Sequence, residues 1–234
     1  MTEAFEGRRV VVTGGAGGLG SAVSRALITA GAEVHVPLLE ATTPASFELA
    51  EHPRIHLEHG VDLADEDAAV AYFAALPELW ATLNLAGGFA MAPVVETSLA
   101  AFEDMWRMNV VSCFLASRES VRRMRETGED GGRIVNVAAR PALLPTPGMI
   151  AYSAAKAAVV AMTRALAEEL ADEQIWVNAI APSIIDTAAN RQAMPDADHD
   201  RWPSPAALAT TILELASPSN RATRGAVVPV YGRA

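Results

Sequence analysis

The sequence predicts an α/β protein: a single doubly wound sheet of about seven mainly parallel strands, with helices on both faces. Three observations carry that reading. Short β-branched runs alternate with longer helical patterns along the 234 residues. A glycine-rich turn joins the first run to the first helix. The chain is 51% hydrophobic, ample for a sizeable core, and shows no linker, internal repeat or low-complexity tract.

The strands are expected at Arg9–Thr13, Glu33–Leu38, Arg54–Leu57, Leu79–Leu85, Arg133–Val137, Trp176–Ile180 and Ala226–Val230. Helical patterns fill Leu19–Ala30, Glu66–Ala75, Leu99–Arg125 and Ile150–Ala171 between them. This alternation implies parallel strands with right-handed crossovers. Two irregular stretches, Pro141–Gly148 and Ser183–Pro205, follow predicted strands. Loops beyond the carboxyl ends of parallel strands form the ligand crevice, so 183–205 is expected to be a substrate loop or lid. Residues 1–234 read as one domain.

Eighteen basic residues against 28 acidic ones give a net charge of −10, which argues against nucleic acid or an anionic membrane as partner. The single cysteine, Cys113, forms no internal disulfide and fits a reducing compartment. No apolar run approaches the roughly 18 residues of a membrane helix. Met1 to Glu6 are polar and acidic, unlike a secretory signal. A soluble, cytoplasmic protein is expected.

Val10-Val11-Val12-Thr13 runs into Gly14-Gly15-Ala16-Gly17-Gly18-Leu19-Gly20 and then a helix. Glycines let the backbone approach a pyrophosphate, and the helix N-terminus supplies N–H donors and a positive dipole end. Gly15, Gly17 and Gly20 satisfy G-x-G-x-x-G, and the strand before and helix after are the context that motif needs.

Thr13, Gly14, Gly18 and Gly20 also fit T-G-x-x-x-G-x-G, a spacing that resembles the short-chain dehydrogenase/reductase family. The resemblance continues down the chain. Asp62, followed by Leu63, matches the family's adenine-contacting Asp, and Asn84-Leu85-Ala86-Gly87 matches its N-x-A-G. Asn109 stands where the family keeps a catalytic Asn, and Tyr152 with Lys156 is its Y-x-x-x-K pair. Pro182, Ser183, Ile185 and Thr187 fall in a segment resembling the one that holds the nicotinamide carboxamide, with Ser183 where Gly is usual. The resemblance implies a Rossmann-type fold, NAD or NADP as cofactor, a small-molecule substrate and a homodimer or homotetramer.

Tyr152 and Lys156 are four residues apart and share a helix face. A phenol titrates near pH 10, and a nearby ammonium is expected to lower that value into a useful range. Tyr152 is then the proton donor. The resemblance implies that Lys156 also hydrogen-bonds the nicotinamide ribose and that Asn109 serves a proton relay.

One departure stands upstream. The family's catalytic Ser lies thirteen residues before the Tyr, and here that residue is Ala139, preceded by Ala138. Losing one donor of this kind costs on the order of 10²–10³ in rate. Either turnover is lost, leaving a dinucleotide-binding sensor or scaffold, or the substrate does not need the hydroxyl. The stretch from Ala138 to Tyr152 is similar to that of quinoid dihydropteridine reductases, which lack the Ser, carry a basic residue at the place of Arg140 and keep the Tyr–Lys pair. Ala86-Gly87-Gly88-Phe89 and the segment Asp186 to Asp198 with Trp202 resemble them too. Ala139 and Arg140 are the candidate substrate contacts.

An acid ending the second strand would bind the ribose 2′-OH and repel a 2′-phosphate. By family spacing that position is Leu38, while Glu40 lies twenty residues past Gly20. No Arg or Lys stands nearby, which tilts the reading to NAD. His52, His56 and His59 cluster near the third strand, but strand alternation points His56 and His59 apart, and no metal site is expected. Asp196, Asp198 and Asp200 read as a solvated loop, and Trp106 and Met108 as core.

Overall fold

In the computed structural model, which describes residues 4–127 and 131–234, seven strands form one all-parallel sheet. They are β1 (Arg9–Thr13), β2 (Glu33–Leu38), β3 (Ile55–His59), β4 (Ala81–Asn84), β5 (Gly132–Val137), β6 (Ile175–Pro182) and β7 (Val227–Val230). Their order across the sheet is β3-β2-β1-β4-β5-β6-β7. The order in which strands are added therefore reverses at the parallel β1–β4 pair, where Thr13 registers with Asn84. That reversal opens a crevice above the strands' carboxyl ends, between the segments leaving β1 and β4.

Alternation along the strands supplies a core on each face. Val10 and Val12 point toward α1 (Gly18–Thr29) and α7 (Pro205–Ala216), joining Leu27, Leu208 and Ile212. Val11 points the other way, with Ile134 and Val177, toward Phe73 of α2 (Glu66–Ala75) and Leu115 of α4 (Ser112–Thr127). A sheet buried on both faces needs such unbroken valine runs. Pro37 is tolerated in β2 because the registered pairs with β1 end at His35. Asp65 caps α2 by accepting from the Ala68 N–H, with Glu66 and Asp67 in the first turn.

β1, β2 and α2 match the sequence reading residue for residue. β3 is shifted toward His59, because its partners on β2 run on to Leu38. The helix expected over Leu99–Arg125 is present and runs on to Thr127, with its period changed in the middle. It divides into α3 (Leu99–Trp106), a π-helical turn (Arg107–Val111) and α4. Segment 183–205, read as irregular, holds α6 (Ala188–Ala193) and a 3₁₀ turn at His199–Arg201.

Contrary to the sequence reading, α5 (Ile150–Glu169) is long and apolar enough by length and composition to cross a bilayer. It lies against the sheet, burying Ala155, Lys156, Val159 and Thr163.

Candidate active site

The turn after β1 is built by close approach. Thr13 Oγ1 accepts from the N–H groups of Leu85 and Ala86 at 3.0 Å each, tying the end of β1 to the segment leaving β4. Gly14 has φ of 65°, and a Cβ there would lie 3.0 Å from the Ala86 Cα. Both facts demand glycine. A Cβ on Gly18 would sit 2.9 Å from Thr187 Cγ2, so segment 183–205 already touches the glycine turn. Gly17 is the N-cap of α1, which has no side-chain cap among the described residues and no acid in its first turn. Its uncapped N–H groups and dipole end therefore suit a phosphate.

Gly14 and Gly17 to Gly20 line a cleft of about 540 Å³, together with Leu38 to Glu40, Asp62, Leu63, Ala86, Gly87, Arg107 and Met108. At its far end Asp62 accepts from the Ala64 N–H at 2.8 Å and from Arg107 at 2.7 Å. Arg107 is the one cation lining the cleft among the described residues, and no motif pointed to it. Glycine cradle, uncapped helix end and paired Asp62 together fit a dinucleotide.

Two predicted cofactor residues act from behind the cleft. Asn84 is buried, and its Nδ2 donates to Ser117 Oγ and Asn136 Oδ1, at 3.0 and 2.9 Å. Thr13 is buried as well, and its hydroxyl is spent on the two backbone donors. Gly15 packs under the turn, where a Cβ would strike Val36.

The π turn places Asn109. Its Nδ2 donates to the carbonyls of Met105 and Gly88, at 2.9 and 3.1 Å. Occupying the carbonyl four residues back loosens the helix there, and π turns of this kind gather at functional sites. Its Oδ1 is buried and has no hydrogen-bond partner among the described residues. A Cβ on Gly87 would lie 2.5 Å from that Oδ1 and 3.3 Å from Lys156 Nζ. Asn109 and Lys156, 47 residues apart, thus face one point beside the glycine.

Lys156 Nζ donates to the Val137 carbonyl at 2.8 Å and stands 5.9 Å from the Tyr152 ring centroid. Burial lowers its pKa to about 8, with a smaller opposing effect from Cys113. Burial raises Tyr152 to about 12, so the lowering expected from Lys156 is not met by the protein's own groups. Desolvation outweighs a lysine held by a carbonyl. Phe89 packs edge-on against Tyr152, and nothing in the sequence except its place after Gly87-Gly88 pointed there.

Ala138 and Ala139 are buried and bring no polar side chain to this end of β5. Arg140 extends over Tyr231, its guanidinium 5.3 Å from the ring centroid. Pro182 ends β6, and Ser183 Oγ donates to the Tyr231 carbonyl at 2.8 Å. Ile185 packs on the core while Thr187 caps α6 through the Asn190 N–H.

Trp106 and Met108, read as core, are instead each 41% exposed, and Met108 lines the cleft. The histidines do not converge: His56 pairs with Glu33 and His59 with Thr43, both at 2.9 Å. Neither they nor Asp196, Asp198 and Asp200 form a metal-ligating group among the described residues.

The model of the short chain dehydrogenase family matches residues 8–198. The chain belongs to this family and is an NAD(P)-dependent oxidoreductase. It is similar to pig (Sus scrofa) carbonyl reductase (NADPH) 2, 32% identical over 196 residues that cover 82% of this chain and 78% of the relative. It is 30% identical to the cyclic-di-GMP-binding biofilm dispersal mediator protein of Escherichia coli K12, over 98% of each. A solved short chain dehydrogenase/reductase family protein superposes with a TM-score of 0.89 at 26% identity, over 98% of this chain and 97% of that one.

Proposed function

We propose that the protein reduces a small carbonyl, imine or quinonoid substrate, with Tyr152 as proton donor and without a serine. The observation that carries this is the approach of Asn109 and Lys156 to Gly87 in the cleft, with Tyr152 next to Lys156, while the buried Ala139 offers no hydroxyl. The nicotinamide cofactor, when bound, supplies the hydride. Gly14 to Gly20 would cradle its phosphates, Asp62 and Leu63 would flank its adenosine end, and Ala86, Gly87 and the segment Pro182 to Thr187 would border its nicotinamide end.

A phenol raised to about 12 stays protonated at neutral pH, which suits donation to the substrate oxygen or nitrogen. Lys156, lowered to about 8, titrates close enough to neutrality to exchange a proton with its surroundings. Asn109 would hold a water or backbone group in the relay that restores the Tyr152 proton. Without a hydroxyl at residue 139, little polarises a simple ketone. An electron-poor conjugated ring, which accepts hydride readily, fits the site better, and Phe89 beside Tyr152 offers it an apolar face. Arg140 and segment 183–205 would close over that substrate.

NAD is the favoured cofactor. Leu38, Leu39 and Glu40 line the cleft where a 2′-phosphate would need a cation. We place the protein in the cytoplasm as a homodimer or homotetramer, a reading supported by Leu99 and Phe114 on α3 and α4, which leave apolar surface uncovered. The test is oxidation of NADH and of NADPH with quinonoid dihydropterin and with simple ketones. Turnover of the conjugated substrate, faster with NADH, is the expected result; inactivity with all of them overturns the reading.

A second reading, dinucleotide binding without turnover, is favoured by Ala139, by Ser183 and by the ligand in the E. coli relative's name. The retained Asn109, Tyr152 and Lys156 weigh against it, since a pure binder has no physical need of them.

A further inference from the structure

We propose that the groove between β3 and α2 is a second small-molecule site, and that it takes an organic ammonium ion with an apolar body. The groove has a volume of about 460 Å³ and lies on the far side of Val61 from the cofactor cleft, a residue the two share. A volume of this order holds a small ligand.

The groove exists because the sequence breaks the packing rule on this face. Strand residues under a helix are ordinarily large and apolar. Here β2 and β3 present His35, His56 and Glu58, while α2 answers with Ala68, Ala71 and Ala75. Small side chains opposite polar ones leave the space unfilled. His35 stacks on His56 with ring centroids 4.6 Å apart, so the imidazoles form a flat wall.

The polar groups of the groove select the ligand. Tyr72 lines it, and the phenol oxygen is buried without a hydrogen-bond partner among the described residues. Such a group costs stability unless something supplies its bond. Glu58 is exposed, lies close enough to act on the Tyr72 phenol, and brings a carboxylate that only accepts. His35 is held neutral, its pKa lowered to about 4 chiefly by burial and by His56. His56 and His59 are already committed to Glu33 and Thr43. Among the described residues no Lys or Arg lines the groove, and the chain carries a net charge of −10. An anion is therefore repelled, whereas an ammonium group can bond Glu58 and Tyr72 while its hydrocarbon part covers Val61, Ala75 and Leu76.

The probe is 2-phenylethylammonium, titrated into the full chain and followed by amide chemical shifts, with 2-phenylethanol as the uncharged control. Saturable shifts confined to residues 57–61 and 68–76 are expected. Glu58→Gln and the alcohol should each weaken binding about tenfold or more, as loss of a charge-assisted hydrogen bond does. Ala71→Trp, which fills the groove, should abolish it. No localised shifts at millimolar probe, or equal binding by the alcohol and by Glu58→Gln, overturns the proposal. These readouts are independent of turnover, so they stand or fall separately from the reductase reading.

Discussion

The ring of Phe89 meets the ring of Tyr152 edge to face, with centroids 5.0 Å apart and planes at 84°. Phe89 is 57% exposed, so the contact shapes the mouth of the site without supporting the core. Such a pair contributes about 0.5–1.5 kcal/mol. Phe89→Ala should lower kcat/KM for a planar substrate roughly two- to tenfold and the melting temperature by only a few degrees. Phe89→Trp should restore most of the loss. Steady-state kinetics beside a thermal melt checks all three.

Gly87→Ala reports on the meeting of Asn109 and Lys156. The new Cβ falls 2.5 Å from Asn109 Oδ1 and 3.3 Å from Lys156 Nζ, so at least one of them must move. A displacement of about 1 Å at a reacting centre costs about 10²-fold. We expect kcat to fall on that scale while the fold survives. A variant with normal kcat would show that the two side chains need not converge.

Lys156 gives stability a particular pH dependence. Its pKa is lowered from 10.5 to about 8. Between those values the unfolded chain holds a proton that the folded chain has lost, so stability rises with pH across that window. Below about pH 8 the full cost of burying the ammonium is present, on the order of 3 kcal/mol. Lys156→Met cannot titrate. Urea melts should therefore show wild type gaining on Lys156→Met between about pH 7 and pH 10; a difference independent of pH contradicts the assignment.

Ala139→Ser puts a hydroxyl at the residue that lacks one in the proposed mechanism. The residue is 4% exposed and lies two residues past the end of β5. Activity on simple ketones should rise, by as much as about 10²-fold if the new donor reaches the substrate oxygen. Activity on a conjugated substrate should change little. Comparison of kcat/KM for both substrates with each protein decides it.

Much of the frame was legible in the sequence. Val10-Val11-Val12 read as a strand and the glycines after Thr13 as the turn into a helix, and the fold has both. What escaped was set by side chains bonding backbone out of register. Asn109 takes the Met105 carbonyl and turns a helical period into a π turn, which no count of apolar spacing reveals. Met108 looked like core because an apolar residue beside a cleft has the same pattern as one inside. Phe89 reaches Tyr152 only because Gly87 and Gly88 let the chain run close over Asn109 and Met108. The burial that raises Tyr152, where the sequence pointed to a lysine that lowers it, is likewise a property of the packed site.

The measurement that bears most directly on the account is the single-turnover rate of Tyr152→Phe beside wild type, with cofactor affinity measured on both. Phenylalanine keeps the ring and removes the proton. The account predicts a rate lower by about 10²–10⁴-fold with cofactor binding unchanged. A Tyr152→Phe rate near wild type, on a substrate that wild type turns over, would contradict it.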